Sequence, residues 1–153
     1  MSKHHYELRP LEGVLSVRFS MTSDQVRTAV SGDPFIFRKT PDSGEVYAYQ
    51  GNAFQVFFST AQSVEFIELS RSEHFSVSYQ GIDLLGTPAK QVIEQMAQWA
   101  TYDRDAPGQG YTYTFPTLEL AFWRPVRPGR YTMGDGRYFS TVGIGRPGYY
   151  SAG

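Results

Sequence analysis

The sequence predicts an α+β fold in which two units, each a helix followed by three strands, share one antiparallel sheet with both helices on one face. Three observations support this prediction. Helix start and stop signals occur between positions 22 and 34, apolar and polar residues alternate between 45 and 70, and the same order of elements recurs about 65 residues later. A chain of 153 residues suits a single domain over 1–153. Its two repeats would occupy about 14–74 and 75–145, before a Gly/Pro/Tyr-rich C-terminal tail.

The first helix is predicted at Ser23–Ser31. Thr22 is a favourable N-cap, because its hydroxyl can accept from the backbone of Gln25 while the Gln25 side chain reaches back to complete a capping box. Gly32 supplies the left-handed residue that ends many helices, and Pro34 prevents continuation. The segment therefore encodes a short amphipathic helix.

Alternating residues predict three strands after this helix, at residues 45–50, 53–59 and 63–70. A two-residue turn at positions 51 and 52 would pair Tyr49 with Phe54 and Tyr47 with Val56. These four side chains then share one face of the sheet. Such clean alternation indicates a sheet with one face buried against helices.

The second unit is predicted to have the same order of elements. Residues 75–85 are extended, Thr87 is a second N-cap, and a longer helix is predicted at Pro88–Ala100 with proline in its first turn. The segment at 111–123 matches the first hairpin at a nearly constant offset, and a last strand is predicted at 137–145. The recurrence of these elements is the basis of the predicted tandem repeat.

The composition excludes several classes of function. The chain has no cysteine, which excludes a disulfide framework, a thiolate metal site and a cysteine nucleophile. No segment approaches the roughly 18 apolar residues that cross a bilayer, and the first ten residues include no apolar signal segment. We therefore expect a cytoplasmic protein without a membrane partner. A net charge of −1 provides no general attraction for nucleic acid.

The residue types that usually carry catalysis or bind metals form no recognisable pattern. His4 and His5 are neighbours that point apart in an extended chain, and His74 stands alone before a strand. The segment GIGRPG at 143–148 matches the dinucleotide-binding pattern literally, but proline and glycine predict a turn where that motif needs a helix. We therefore predict no catalytic residue, no metal site, no cofactor and no enzymatic activity.

Short motifs in both units resemble a known family. An extended segment, a Met-Thr pair, a helix with an early valine, a Gly-x-Pro end and a three-stranded meander are similar to the SmpA/BamE-like unit. Two such units in tandem resemble the beta-lactamase inhibitory protein (BLIP-like) fold. The matching residues are Met21, Thr22, Val26, Gly32 and Pro34 in the first unit and Thr87 and Val92 in the second.

The chain departs from that family in three respects. Ser20 stands where glycine usually precedes Met-Thr, and the second unit has Gly86 before Thr87 in place of the methionine. The chain also lacks the cysteines that lipoprotein and secreted members use. The resemblance implies a protein-binding scaffold. Among tandem proteins of this kind, bacterial immunity proteins that neutralise toxins fit a cysteine-free chain, and this implies a toxin or an enzyme as the partner.

The candidate site lies on the sheet face opposite the predicted helices, and we expect this face to carry Gln55, Phe57, Glu119, Ala121 and Trp123. An arginine-rich segment follows, and interfaces favour arginine and tyrosine. The predicted protein-binding residues are Gln55, Phe57, Glu119, Trp123, Arg124, Arg127, Arg130 and Tyr131. Two alternatives stay open at this point: the tyrosines are the exposed set, and the arginine-rich segment is an ordinary solvated loop.

These observations favour a non-catalytic protein-binding module, of inhibitor or immunity type, that uses an aromatic sheet face and an arginine-rich loop. The alternative is a small-molecule-binding protein or small enzyme with a cleft between the two repeats, which requires an apolar pocket with converging polar groups. Nucleic-acid binding through arginine and tyrosine is a third hypothesis, against which the near-neutral charge argues.

Overall fold

The structure, a computed structural model, describes residues 4–14, 16–108, 110–125 and 136–150. The regular secondary structure of this part of the chain is mainly β and forms two β-sheets. The larger sheet is antiparallel throughout and has seven strands in the spatial order β10-β11-β12-β7-β6-β5-β4. Its strands are β4 (Phe35–Arg38), β5 (Glu45–Tyr49), β6 (Phe54–Phe58), β7 (Val64–Ser70), β10 (Thr112–Phe115), β11 (Leu120–Trp123) and β12 (Thr141–Gly145).

The smaller sheet has five strands in the order β3-β2-β1-β8-β9. The strands β1 and β8 are parallel, with His4 opposite Phe75 and Glu7 opposite Ser78, and the other pairs are antiparallel. The β1–β8 pair therefore joins two strands that are far apart in the sequence. Its strands are β1 (His4–Arg9), β2 (Gly13–Val14), β3 (Val17–Arg18), β8 (Phe75–Tyr79) and β9 (Ile82–Asp83).

Both helices in the described residues are short. Helix α1 (Ser23–Ala29) begins at the predicted capping box, in which Gln25 N donates to Thr22 Oγ1 at 3.3 Å and Thr22 N donates to Gln25 Oε1 at 2.9 Å. Helix α2 (Ala89–Met96) has Pro88, not Thr87, as its N-cap, and no side chain caps it. It ends four residues before the predicted Ala100, because the backbone turns after Met96.

One hydrophobic core joins the two sheets and both helices. The inner face of the large sheet provides Tyr47 and Phe54, the small sheet provides Tyr6, and the helices provide Val26 and Met96. The Tyr6 ring meets Phe54 edge-on, with 5.4 Å between ring centroids. The core therefore lies between the sheets and beneath the helices, and the opposite face of the large sheet does not contribute to it.

The predicted fold class is wrong. The described chain is mostly β, with two helices of seven and eight residues and two sheets instead of one, so it is not an α+β fold of helix-plus-three-strand repeats. The physical reason is that the segments around the helices form strands of their own. The extended segment before the first helix, which the family resemblance implies, contains the β2–β3 pair, and β1 and β4 were not predicted.

The local hairpin prediction is confirmed. Tyr47 pairs with Val56 and Tyr49 pairs with Phe54, and all four side chains belong to the core. The alternative in which the tyrosines form the exposed face is therefore wrong for the first hairpin, since Tyr47 and Tyr49 are buried, whereas Tyr111 of the second unit is exposed.

Candidate functional site

The face of the large sheet that points away from the core carries a second, smaller apolar cluster. Val46, Phe57 and Phe66 form it, and Phe37 and Tyr150 pack against them. Alternation along each strand and the register between strands extend this surface across the sheet. We call it the outer face, with members Phe35, Phe37, Val46, Gln55, Phe57, Phe66, Glu68, Ala121 and Trp123.

Three predicted site residues, Gln55, Phe57 and Trp123, lie on the outer face, but they differ in exposure. Trp123 is 45% exposed, whereas Phe57 is 9% exposed and therefore corrects the prediction of an outward, open ring. Phe66 packs edge-on against Phe57, and Lys39 Nζ lies 4.5 Å from the centroid of the Phe57 ring. Neighbouring side chains on the same face thus cover Phe57.

Residues 146–150, here called the strap, fold over the middle of the outer face. Tyr149 stacks on Phe66 with 4.8 Å between ring centroids and 18° between ring planes, and Tyr150 meets the same ring edge-on. Gly143 makes room for this arrangement, because a Cβ atom there would lie 2.3 Å from Phe66 Cζ. Burial raises the pKa of Tyr150, with smaller contributions from Tyr149 and nearby carboxylates, so its hydroxyl stays protonated at neutral pH.

Glu119 holds the strap in place. Its carboxylate accepts from Gly148 N at 3.1 Å and from Tyr150 N at 2.6 Å, and its backbone carbonyl accepts from Gly145 N at 2.8 Å. The residue is 2% exposed. The expectation that Glu119 points outward from a strand is therefore corrected, because its carboxylate is directed at backbone amides about 30 residues further along the chain.

Arg124 is also buried, at 7% exposed, which corrects its predicted surface position. Its Nε donates to Gly110 O at 2.7 Å, its Nη1 to Gly136 O at 3.0 Å, and its Nη2 to the Tyr113 hydroxyl at 3.3 Å. The guanidinium also lies near the Tyr113 and Phe139 rings. These contacts tie β11 to the chain before β10 and to the segment before β12. The remaining predicted site residues, Arg127, Arg130 and Tyr131, lie outside the described residues.

Large apolar side chains are exposed near both ends of the outer face. Phe35 on β4 is 65% exposed, and Trp123 on β11 is 45% exposed. Trp123 pairs with Thr141, which pairs with Ser70, and this register places all three side chains on the side of Glu68. The outer face therefore has a covered centre and two exposed apolar ends.

Glu68 lies between these ends, with Gln55 opposite it on β6 and Gly143 opposite it on β12. Burial raises the pKa of its carboxyl, and the charge of Lys39 partly opposes this effect. Among the described residues, no group donates a hydrogen bond to this carboxylate. Glu68 was not predicted as a site residue. Its position two residues after Phe66 on an alternating strand nevertheless indicates that both side chains lie on the same face.

The described chain also forms a partly open cavity with polar and apolar walls where the two sheets meet. The cavity measures about 240 Å³, and its walls include Arg71 and Ser72 after β7, Ser76 on β8, Asp83 on β9 and Tyr138 before β12. The Arg71 guanidinium is already engaged, because its Nη2 donates to two backbone carbonyls and it stacks near the Tyr138 ring.

A polar network on β1 and β8 was not predicted. His5 Nδ1 lies 2.8 Å from Ser76 Oγ, and His5 Nε2 lies 2.7 Å from Ser78 Oγ, which also donates to Glu7. The His-x-Glu and Ser-x-Ser spacings place these groups on one face of two paired strands. Since each group bonds to another and Ser78 is buried, the network stabilises the parallel strand pair.

Comparison with protein-family models, with curated proteins and with solved structures finds no match. Within the described residues, no group of three or more histidine or acidic side chains could hold a metal ion. Neither α1 nor α2 has the length and apolar character that a helix needs to cross a membrane.

Proposed function

We propose that this chain is a non-catalytic protein-binding module that contacts its partner with the outer face of the large sheet. The observation that carries the proposal is the exposure of Phe35 and Trp123 on one sheet face, on either side of the aromatic cluster of Phe57, Phe66 and the strap, because interfaces are enriched in aromatic side chains. Aromatic side chains, tryptophan above all, also dominate the binding energy of protein interfaces.

The spacing of these side chains favours a protein partner over a small molecule. Five strand-to-strand steps separate β4 from β11 in the sheet order, which corresponds to about 24 Å at roughly 4.8 Å a step. A small ligand does not span this distance. It matches a standard protein interface, which buries about 800 Å² on each partner.

Glu68 indicates the chemistry of the partner. Solvent reaches the half-buried carboxylate of Glu68 in the free protein, so a partner that covers this carboxylate must supply hydrogen-bond donors of its own. An arginine or lysine of the partner, placed between Gln55 and Gly143, would supply the missing donors and form a charge-assisted hydrogen bond. The partner is therefore expected to present a basic side chain flanked by apolar groups.

The inhibitor or immunity-type role, with a toxin or an enzyme as the partner, is the part of this proposal that comes from the sequence resemblance. Action in the cytoplasm is a proposal that comes instead from the composition of the sequence. A partner of this kind suits a face that is largely preformed, since the strap, Phe57 and Phe66 are packed before any partner arrives.

The proposal is tested by affinity capture from the native host, with identification and purification of the captured protein. Trp123→Ser and Glu68→Gln should each weaken binding of the purified partner at least about tenfold. Trp99→Ser is a matched control, because Trp99 is exposed but packs against Tyr79 of the small sheet, away from the outer face. It should leave the affinity unchanged.

Equal affinity of wild type, Trp123→Ser and Glu68→Gln would contradict the outer face as the binding site. Retention of a metabolite, with no captured protein, would instead favour the second candidate function. That candidate is a small-molecule-binding protein or small enzyme, and the observation in its favour is the cavity between the sheets, where Asp83, Ser76 and Tyr138 converge.

A further inference from the structure

The edge strand β4 is the feature that carries a further inference. It pairs with β5 on one side, and among the described residues no backbone group bonds to its other side. The opposite edge of the sheet differs, since Asp103 N donates to Thr114 O of β10. Proteins usually shield an exposed apolar edge strand, because its free N–H and C=O groups pair readily with another strand.

The hydrogen-bond pattern shows which groups of β4 are free. Ser70 N of β7 donates to Ala53 O at 2.8 Å, so the alternate residues Glu68 and Phe66 of β7 also direct their backbone groups toward β6. Their partners Gln55 and Phe57 therefore direct their own backbone groups toward β7. Their neighbours, Phe54 and Val56, therefore face β5.

The register carries this alternation to the edge of the sheet. Tyr47 is opposite Val56 and faces β6, so Val46 and Ala48 face β4, where they pair with Phe37 and Phe35. The backbone groups of Ile36 and Arg38, with the carbonyl of Pro34, consequently point to the free edge.

From this edge we infer that β4 pairs with β4 of a second copy of the chain, antiparallel and about a two-fold axis at Ile36. In this arrangement the Ile36 N–H of each copy donates to the Ile36 carbonyl of the other. The Arg38 N–H of each copy donates to the Pro34 carbonyl of the other. Proline has no N–H to return the second bond, so the ladder contains four hydrogen bonds and ends there.

The side chains on the outer-face side of β4 are complementary to themselves in this register. Asp33, Phe35, Phe37 and Lys39 follow one another at alternate positions. The two-fold axis places each Phe35 opposite a Phe37, and each Asp33 opposite a Lys39. These are non-hydrogen-bonded positions, where opposing side chains lie closest.

Asp33 and Lys39 are exposed, and neither forms an ion pair in the described chain, where Arg18–Glu12 is the pair present. Lys39 would exchange its contact with the Phe57 ring for an ion pair with Asp33 of the second copy. Phe35 and Phe37 lie side by side with 5.7 Å between ring centroids. Each pair of opposing strands would therefore gain two aromatic contacts and two ion pairs.

Other registers lose this complementarity. A shift that moves the axis to Phe37 places Lys39 opposite Phe35, and a shift to Arg38 places two Arg38 side chains opposite each other. Both cost free energy relative to the register centred on Ile36. An isologous dimer formed in this way would join the two large sheets edge to edge and make their outer faces continuous. It does not depend on the proposed function.

The experiment is sedimentation equilibrium of the full chain over a wide concentration range at low salt. Wild type should show a reversible monomer–dimer equilibrium that weakens as salt is added. Asp33→Lys and Lys39→Asp should each raise the dimer dissociation constant roughly tenfold or more, since each places two like-charged pairs across the axis. An equimolar mixture of the two variants should recover association to about the wild-type level, because every opposing pair is then of opposite charge.

Asp24→Lys is the matched control, since Asp24 is exposed on α1 and its reversal changes the net charge equally. Circular dichroism establishes that every variant is folded. A wild-type chain that stays monomeric at all concentrations overturns the inference, whether or not β4 pairs with a strand of a different protein. A dimer that is unaffected by both single reversals, or not restored in the mixture, overturns it as well.

Discussion

Replacing Glu119 by glutamine tests whether the strap is held by a single side chain. The carboxylate accepts two backbone N–H groups, from Gly148 and Tyr150, and a hydrogen bond to a charged group contributes about 1.5–3 kcal/mol. Glutamine keeps one acceptor and turns a donor NH₂ group toward the other amide. We therefore expect the strap to lose about 2–3 kcal/mol of local stability, or a factor of roughly 30–150 in its opening equilibrium.

Amide hydrogen exchange measured by NMR checks this expectation. The amides of Gly148 and Tyr150 should exchange roughly 30–150 times faster in Glu119→Gln, whereas the amide of Ile67 in the core of β7 should change little. Glu94→Gln, an exposed charge change on α2, is the control and should leave all three amides at wild-type rates. Exchange at Gly148 and Tyr150 within about threefold of wild type would refute the assignment of Glu119 as the anchor of the strap.

Three further changes have defined outcomes. Arg124→Met should lower the free energy of unfolding by about 2–4 kcal/mol, because two carbonyls and a hydroxyl lose their donor. Urea unfolding measures this change. A free energy within about 0.5 kcal/mol of wild type, the usual effect of a surface substitution, would contradict the expectation. Gly143→Ala should cost about 1–3 kcal/mol, since its methyl group displaces the Phe66 ring, and unchanged thermal unfolding would argue against the packing described. Glu68 has a pKa raised above its ordinary value of 4.5 in the folded state, so the folded protein binds this proton more tightly and its stability falls as pH rises through the folded pKa. Glu68→Gln should abolish that decline and be more stable than wild type at neutral pH; parallel stability curves against pH would contradict the assignment.

The sequence predicted those features that depend on neighbouring residues. Thr22 and Gln25 form the capping box because both partners lie within one helical turn. Tyr47 and Val56 pair as expected because a short turn fixes the register between adjacent strands. In both cases the interacting groups are close in sequence, and their spacing restricts the geometry to one arrangement.

The features that sequence reasoning missed depend on distant partners. An arginine is usually expected at the protein surface. Arg124 is buried because carbonyls on two other segments accept hydrogen bonds from its guanidinium. The parallel pairing of β1 with β8 joins segments about 70 residues apart, which no local pattern specifies. The fold class failed for the same reason, since the β1–β8 pair joins two local groups of strands, β1–β2–β3 and β8–β9, into the small sheet.

The strap decides how a partner can use the outer face. Interfaces usually concentrate binding energy at their centre, but here Tyr149 and Tyr150 already cover Phe66 at the centre. A partner that displaced the strap would have to overcome the 2–3 kcal/mol estimated for the Glu119 contacts, and its affinity would fall roughly 30- to 150-fold. A partner that binds over the strap avoids this loss and gains contact with the exposed part of Tyr149. The strap is therefore expected to be part of the binding surface, between Phe35 at one end and Trp123 at the other.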